Sequence, residues 1–334
     1  MPYDVPDELP QPMQLIMRDR YGATVDTLDI AHPLSPEEGV TLLEGYAGFY
    51  HAKRTQVDND EGAYIEGADP TPFPRVEKRM LKFTLGTQAY TPGGWEDVET
   101  NLWRFLKHER DSVIRVHSVR SKWREAWRVR LVNVSDLLPR VPGATRHMAW
   151  EIEACAYDPW WHSQLIKRTV RKADATTEVD PETGDPLPGS GVWELLVPML
   201  NPADTRCFPE FSCNEITANT RVWLPDGLTD RMVLAPAHDT WFEPGQEFLI
   251  RTDPLQPTVT VRDGSLKWAE MASREFVSWV RPGKVTPVMQ RIWIEGGTAD
   301  TEITAYYPQN WDRMFGGETP PRLENVEWTG VPNM

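Results

Sequence analysis

The chain has little cysteine and no long apolar run, and both absences narrow what it can be. Its 334 residues include three cysteines, Cys155, Cys207 and Cys213. An odd number at these spacings does not make a disulfide framework, and a structural zinc site needs four ligands at tighter intervals. The three read as buried or half-buried free thiols, with a Cys207–Cys213 bond left open. None of the seven histidines lies in a recognisable partner motif for a thiol nucleophile. No apolar stretch approaches the ~20 residues of a membrane-spanning helix. The opening MPYDVPDELPQPMQ is acidic and proline-rich, without the basic start and apolar stretch of a secretory signal. The expectation is a chain with no membrane anchor. Phosphate-cradling glycine patterns, nucleophile elbows and His-Glu-x-x-His are also lacking. The sequence offers no catalytic residue, no metal ligand set and no cofactor site.

What is present is tryptophan and proline, 15 and 30 residues respectively, with 22 Gly and 40% hydrophobic content. That content is enough for packed cores and speaks against wholesale disorder. Proline at this density disfavours long helices and suits short strands, turns and sheet edges. The length suggests two domains, at ~150 residues per domain. The net charge of −15 is unevenly placed. Residues 1–70 carry 14 acids and 4 bases, 71–172 carry 11 and 19, and 173–334 carry 25 and 12. A basic middle between acidic flanks favours self-complementary assembly, where the middle of one copy faces an acidic part of another. A solvated mixture of surface charges explains the same counts.

Met13, Leu15 and Met17 alternate with polar positions and predict a strand, followed by a Tyr21-Gly22 turn and a second strand over Thr24–Ile30. Val40–Tyr50 is apolar and glycine-punctuated, a strand or a strand with a bulge. Residues 55–74 are rich in acid, Gly and Pro and read as an exposed loop or projecting arm. Arg79–Leu85 alternates, with Met80, Lys82 and Thr84 on one face and Leu81, Phe83 and Leu85 on the other. One helix is predicted over 95–108, after the break at Pro92-Gly93-Gly94. Glu96, Asp97 and Glu99 suit its N-terminal end and Arg104, Lys107 and His108 its C-terminal end. Val98, Leu102, Phe105 and Leu106 form its apolar stripe, widened by Trp95 and Trp103. Strands follow over 113–119, 127–134 and 148–156. Trp127-Arg128-Val129-Arg130-Leu131 alternates strictly, with both arginines facing away from the core.

Residues 171–190 have no periodicity, and the domain boundary is placed in a linker over 173–190. Beyond it, short strands are expected over 192–197, 215–218, 221–224, 232–235, 248–252, 258–261, 277–280, 290–295 and 301–307. Turn signals at Pro225-Asp226-Gly227, Asp263-Gly264 and Arg281-Pro282-Gly283 separate many of them. This pattern indicates a β-sandwich over 191–315, with 316–334 as a Pro- and Gly-rich tail.

Two clusters invite a chemical reading. From Arg120 to Arg130 bases interleave with aromatics, a composition that can stack on and neutralise single-stranded nucleic acid. The simpler accounts are one sheet face with Trp inside and Arg outside, or a subunit contact, because the chain's overall charge repels a polyanion. Arg120, Trp123, Arg124, Arg128 and Arg130 are therefore candidate subunit-interface residues. In the second half, Trp223, Trp241, Trp268 and Trp279 suit a small sandwich core or an interface. A flat indole also matches the apolar face of a pyranose, and Trp241 and Trp268 are the candidate glycan contacts. With 50 acids, a glycosidase pair can always be drawn, and none is singled out.

The order of features resembles a known family. A β-domain carries one helix, a Trp-Arg-Val-Arg-Leu strand and an Asp158-Pro159-Trp160-Trp161 ending. A sandwich follows with Asn201-Pro202-Ala203-Asp204, Trp223-Leu224-Pro225-Asp226-Gly227, Arg251-Thr252-Asp253-Pro254, Asp263-Gly264 and Trp279-Val280-Arg281-Pro282-Gly283. This resembles the distal tail (Dit-like) proteins of long-tailed siphophages, including minor tail proteins of actinobacterial phages, over roughly residues 10–310.

The resemblance implies a mostly β protein. Residues 1–172 would be an N-terminal β-sandwich-like ring domain with the helix and arm, and a C-terminal galectin-like sandwich would lie outside the ring. It implies a homohexameric ring that joins the tail tube protein to the tail-tip hub protein, near the end of the tape-measure protein. Genomic DNA would pass through the channel without specific binding. The implied location is the virion tail tip, after synthesis in the host bacterial cytoplasm. The family is not catalytic, so no active-site residue, metal or cofactor carries over. The alternative function is a carbohydrate-binding adhesin that recognises host cell-surface glycans.

Overall fold

The computed structural model describes residues 13–19, 23–31, 38–43, 47–55, 75–118, 122–135, 146–217, 220–234, 248–253, 258–261 and 275–315. Among these the protein is mostly β, with one α-helix and one short 3-10 turn. It forms two compact units. One is built from the chain up to Gln164 and again from Trp311, the other from Leu165 to Asn310. The expected boundary at 173–190 is therefore displaced, and the second unit is an insertion within the first.

The first unit contains β1 (Met13–Arg18), β2 (Thr24–Ala31), β3 (Gly39–Leu42), the short pair β4 (Arg54–Thr55) and β5 (Arg75–Val76), and β6 (Arg79–Gln88). After helix α1 (Pro92–Phe105) come β7 (Ser112–Ser118), β8 (Lys122–Val134), β9 (His147–Ala156) and β10 (Trp161–His162). The pairings run β8-β7-β1-β2-β3-β6-β9, and β9 pairs back onto β8, so the sheet closes on itself. Closure removes the free edges that an open sheet exposes. All these pairs are antiparallel except β2–β3. Alternation explains the core. Leu81, Phe83 and Leu85 of β6 are buried while Met80 and Lys82 face out, each buried side chain contributing about 1.5–3 kcal/mol.

Helix α1 starts earlier than predicted. Proline is preorganised for the first helical position, where its missing N–H costs nothing, and the Thr91 hydroxyl accepts from the Gly94 N–H at 3.0 Å. Pro92-Gly93-Gly94 thus begins the helix instead of breaking before it. Glu99 then lies beyond the first turn and is buried. Its carboxylate accepts the indole N–H groups of Trp103 and Trp150 at 2.6 Å each, and the Thr87 hydroxyl. The helix is fastened to β6 and β9 through an acid expected to serve the helix dipole.

The second unit contains β11 (Ile166–Arg171), β12 (Thr177–Glu178), β13 (Val192–Asn201), β14 (Glu210–Asn214), β15 (Arg221–Pro225) and β16 (Met232–Leu234). Then come β17 (Phe248–Arg251), β18 (Thr258–Val261), β19 (Lys284–Glu295) and β20 (Glu302–Tyr307). One antiparallel sheet has the order β11-β20-β14-β17-β18 and the other β12-β13-β19-β15-β16. Their inner faces share one core that includes Val197, Phe211, Cys213, Leu224, Ile250, Ile292 and Ile303. Residues 173–190 are no linker: β12 pairs with β13, and Val179 bridges Pro186.

Two expected strands are replaced here. Of 215–218, the described residues 215–217 form no strand and Glu215 takes a positive φ of 52°; residue 218 lies outside the described residues. Residues 277–280 form no ladder beyond a Cys207–Val280 bridge. The amides of Val277 and Ser278 instead donate to the fully buried Asp226 carboxylate at 2.9 and 2.8 Å. All three cysteines are free and buried, and burial pushes the Cys207 and Cys213 thiols well above the ordinary range.

The chain returns to the first unit through β21 (Asn310–Trp311), which pairs beside β10. The residues after it are held by two buried arginines. Arg79 donates to the carbonyls of Pro159, Gly48 and Asp312 at 2.8, 2.9 and 2.8 Å. Arg124 donates to the Arg313 carbonyl at 2.6 Å and lies 3.8 Å over the Trp311 ring. The Trp311 indole donates to Ser163 Oγ at 2.8 Å. Gly48 has φ +80°, and a Cβ there would lie 1.8 Å from the Met80 carbonyl oxygen, so only glycine admits this approach.

Arg79→Met leaves three acceptors without their donor and is expected to cost roughly 3–5 kcal/mol, read from urea unfolding. Asp312 accepts from the Ala52 amide at 3.1 Å and lies 3.0 Å from His51 Nδ1 and 3.2 Å from Arg54 Nη2. Burial by itself raises the Asp312 carboxyl, but His51, the Ala52 amide and the Arg54 charge more than offset it, and its pKa falls below the usual carboxylate value. A depressed pKa gives stability that is present above the unfolded value of ~3.9 and is lost as pH falls through the folded one. Asp312→Asn is therefore expected to melt below the wild type at pH 7, and the gap should close below about pH 4 in a pH series of thermal melts.

Candidate functional site

Strand β8 carries most of the arginines and tryptophans expected at an interface, and it does not present them as its sequence suggests. In a regular strand successive side chains alternate between faces. Here β7 and β8 pair Ile114 with Ala126 and Ser112 with Val129, so β8 holds one extra residue between these pairs. Arg128 sits in that bulge with φ +53°. A bulge of this kind shifts the alternation by one. Before it, Arg124 and Ala126 point inward and Trp123 and Trp127 outward; after it, Val129 and Leu131 point inward and Arg128 and Arg130 outward.

Arg124 is consequently fully buried, whereas Trp127 is 37% exposed. The expectation of tryptophan inside and arginine outside is reversed over this half of the strand, and Arg124 is removed from the candidate interface. Arg120 lies outside the described residues. Arg128 and Arg130 remain at the surface on one side of Asp111, with the Arg128 Nε 3.8 Å from one carboxylate oxygen and Arg130 hydrogen-bonded to the other.

The outer face before the bulge is an aromatic plate organised by a buried acid. Glu125 is fully buried although its neighbours on this face are not. It accepts from Arg18 Nη2 at 2.6 Å, from Arg115 Nη2 and Nε at 2.7 and 3.0 Å, and from the Trp127 indole at 2.8 Å. The Arg115 guanidinium lies 5.0 Å over Trp123 and that of Arg18 5.6 Å over Trp127. On its other side Trp127 stacks on His162, with centroids 3.8 Å apart and planes 14° from parallel. His162 Nε2 is 3.0 Å from Asp158. Burial alone raises Asp158, but its hydrogen bond to His162 and the nearby cations prevail and lower it. Arginines flanking indoles over a satisfied carboxylate form a rigid, partly apolar surface of the kind enriched in protein contacts.

Neither Arg18 nor Arg115 stood out in the sequence as part of this surface. Arg115 had a charge signal, since it lies opposite Glu125 across β7 and β8 and cross-strand opposite charges stabilise pairing; Arg18 reaches Glu125 from β1, two strands away, and had none. Trp241 and Trp268, the candidate glycan contacts, lie outside the described residues. Among the described residues no three His, Cys, Asp or Glu side chains are grouped to hold a metal ion.

No protein-family model matches the sequence, and no curated protein matches it. In three dimensions it is similar to the Dit protein of SPP1, described as a paradigm of the hub adsorption apparatus in phages infecting Gram-positive bacteria. The TM-score is 0.51 at 11% identity, over 80% of this chain and 93% of that one. It also aligns with chains of the phage P2 baseplate in its activated conformation, with Ca and with Sr. Each gives a TM-score of 0.48 at 8% identity, over 90% of this chain and 99% of the other. The chain has a Dit-like fold.

Glu125→Gln keeps the shape of the plate and removes the charge that two arginines share. The expected cost is about 2 kcal/mol in urea unfolding at low salt, with weakened quenching of Trp127 fluorescence by His162 as the local readout.

Proposed function

We propose that this protein is a structural component of a phage tail tip, assembling with copies of itself into a ring, six-membered in the virion. In this reading the ring joins the tail tube protein to the tip hub protein near the end of the tape-measure protein, and DNA passes through its channel. The observation that carries the reading is the extent of the likeness to SPP1 Dit, which takes in nearly the whole of that chain. The first unit would form the ring, and the second would be the galectin-like sandwich outside it.

The surface chemistry supports the same reading. The plate of Trp123, Trp127, Arg18 and Arg115 supplies aromatic and guanidinium groups, the residue types that dominate protein contacts. The outward pair Arg128 and Arg130 lies in the basic middle segment, opposite in sign to both flanks, as contact between copies requires. An acidic net charge suits a conduit, because repulsion keeps phosphates from adhering to its wall.

Native mass spectrometry and negative-stain images test this directly. The expected result is a closed multimer with annular particles. Arg128→Glu combined with Arg130→Glu is expected to shift the population toward monomer. A wild-type chain that remains monomeric at every concentration, with no annular particles in the presence of the tube protein, overturns the reading.

A further inference from the structure

Beside helix α1 the first unit has an open groove of about 570 Å³, lined by Trp95, Glu99, Trp103 and Trp150 and bordered by Thr100, Arg104 and Lys107. That volume falls within the ~300–1,000 Å³ of small-molecule sites. Trp95 is buried, while Trp103 and Trp150 are half-buried. These last two meet edge to face, with ring centroids 5.2 Å apart and planes 84° from parallel. They form adjoining walls at nearly a right angle, with part of each ring left uncovered.

The indole N–H groups of these walls are all engaged. Trp103 and Trp150 each donate to Glu99 at 2.6 Å. Trp95 donates to the Thr87 hydroxyl at 3.2 Å, and that hydroxyl donates to Glu99. The groove therefore presents ring surface and no indole donor. Beneath the rings lies a carboxylate that is 8% exposed, and its three donors are neutral. No cation pairs with Glu99 among the described residues. Dipoles stabilise its charge without cancelling it, and hydrogen bonds donated to an anion push electron density into the indoles. Both effects favour a cation over the ring faces.

The border at the other end is basic. Lys107 is exposed two residues past the end of α1. Its carbonyl accepts from the Leu131 amide at 2.9 Å, which ties this position to β8. Arg104, beside it, is paired with Asp26, whereas Lys107 has no ion pair among the described residues. Glu96, Thr100, Trp103 and Lys107 follow one another at helical spacing. One side of the groove thus runs from acid, through indole, to base.

We propose that this groove binds a phosphocholine group, with the quaternary ammonium on the Trp103 and Trp150 rings over Glu99 and the phosphate at Lys107. The proposal does not depend on the ring-forming role. Three features select the chemistry. A simple anion meets the charge of Glu99 and finds no indole donor. A primary ammonium or a guanidinium brings N–H groups that need acceptors, and the Glu99 oxygens are already engaged by three donors. A quaternary ammonium has no N–H to satisfy and is the cation that aromatic cages recognise. A phosphate linked to it then turns the Lys107 charge from a repulsion into an attraction.

Calorimetry and tryptophan fluorescence on the full-length chain test the proposal, with phosphocholine as probe and phosphoethanolamine and inorganic phosphate as controls. Phosphocholine is expected to bind saturably, and both controls at least about tenfold more weakly. Vesicles of phosphatidylcholine separate the sources. Co-sedimentation of the chain with them identifies a lipid headgroup, whereas binding of soluble phosphocholine alone identifies a group that is free or carried on a polymer. Because Trp103 and Trp150 are part of the packing around Glu99, the variants are placed at exposed positions, Thr100 and Lys107, where the melting temperature should not change. Thr100→Arg sets a cation beside the ammonium and is expected to abolish binding. Lys107→Glu is expected to weaken phosphocholine about tenfold. Failure of both phosphocholine and the vesicles to bind, equal binding of either control, or phosphocholine binding that survives either variant unchanged overturns the proposal.

Discussion

The structure of the first unit depends on two guanidinium groups that have been taken out of water. Arg79 and Arg124 are 1% and 0% exposed, and a buried cation is tolerable only when its donors are satisfied. The acceptors are backbone carbonyls at Gly48, Pro159, Asp312 and Arg313, drawn from distant parts of the chain. Two of them arrive only after the second unit has been traversed. The first unit therefore cannot complete its own interior until the chain returns at Trp311. Closing so long an excursion costs entropy that grows only slowly with length. The cost is further limited because the first and last long strands of the inserted unit pair directly, Ile166 with Tyr307 and Arg171 with Glu302, which brings its two ends together within its own sheet.

This arrangement explains which parts of the fold were legible in the sequence. Strands β6, β9, β15, β17 and β18 follow local alternation or turn signals, and their positions agree with those signals. Arg79 heads β6 on its core face, in register with Leu81 and Phe83. A local pattern treats an arginine as an outward residue, and only the arrival of carbonyls from elsewhere makes the inward position stable. The segment 173–190 looks like a linker because it has no periodicity, yet a single turn laid on Trp293 needs none. Residues 277–280 look like a strand from composition, but the amides of Val277 and Ser278 are claimed by Asp226, whose burial no neighbouring residue announces.

The candidate interface shows the same limit at finer scale. Trp127-Arg128-Val129-Arg130-Leu131 alternates without fault, and Arg128, Val129, Arg130 and Leu131 do face as that pattern requires. The failure is one residue upstream, where the bulge at Arg128 sends Trp127 to the outside and Arg124 to the inside. An arginine with positive φ has no signature in sequence, since the left-handed region favours glycine and asparagine. The bulge has a structural consequence on both faces of β8. Inward, it supplies the guanidinium that stacks on Trp311 and holds the returning chain. Outward, it delivers the indoles that surround Glu125. One inserted residue thus couples the closure of the fold to the surface on which assembly would depend.

Tryptophan is used differently in the two units, and hydrogen-bond accounting separates the uses. In the first unit the indoles of Trp103, Trp127 and Trp150 donate to the buried carboxylates of Glu99 and Glu125. Each acid is thereby made compatible with burial, and each ring is fixed in one orientation. Such surfaces are largely satisfied, although Arg18 Nε beside Glu125 is buried with no hydrogen-bond partner among the described residues. In the second unit the buried Trp293 donor has no partner among the described residues, and Oε2 of Glu194, opposite it in register, is likewise unmet. The first arrangement, a broad plate of indoles and guanidinium groups, suits contact with another protein, whereas the second encloses an unmet donor and an unmet acceptor side by side.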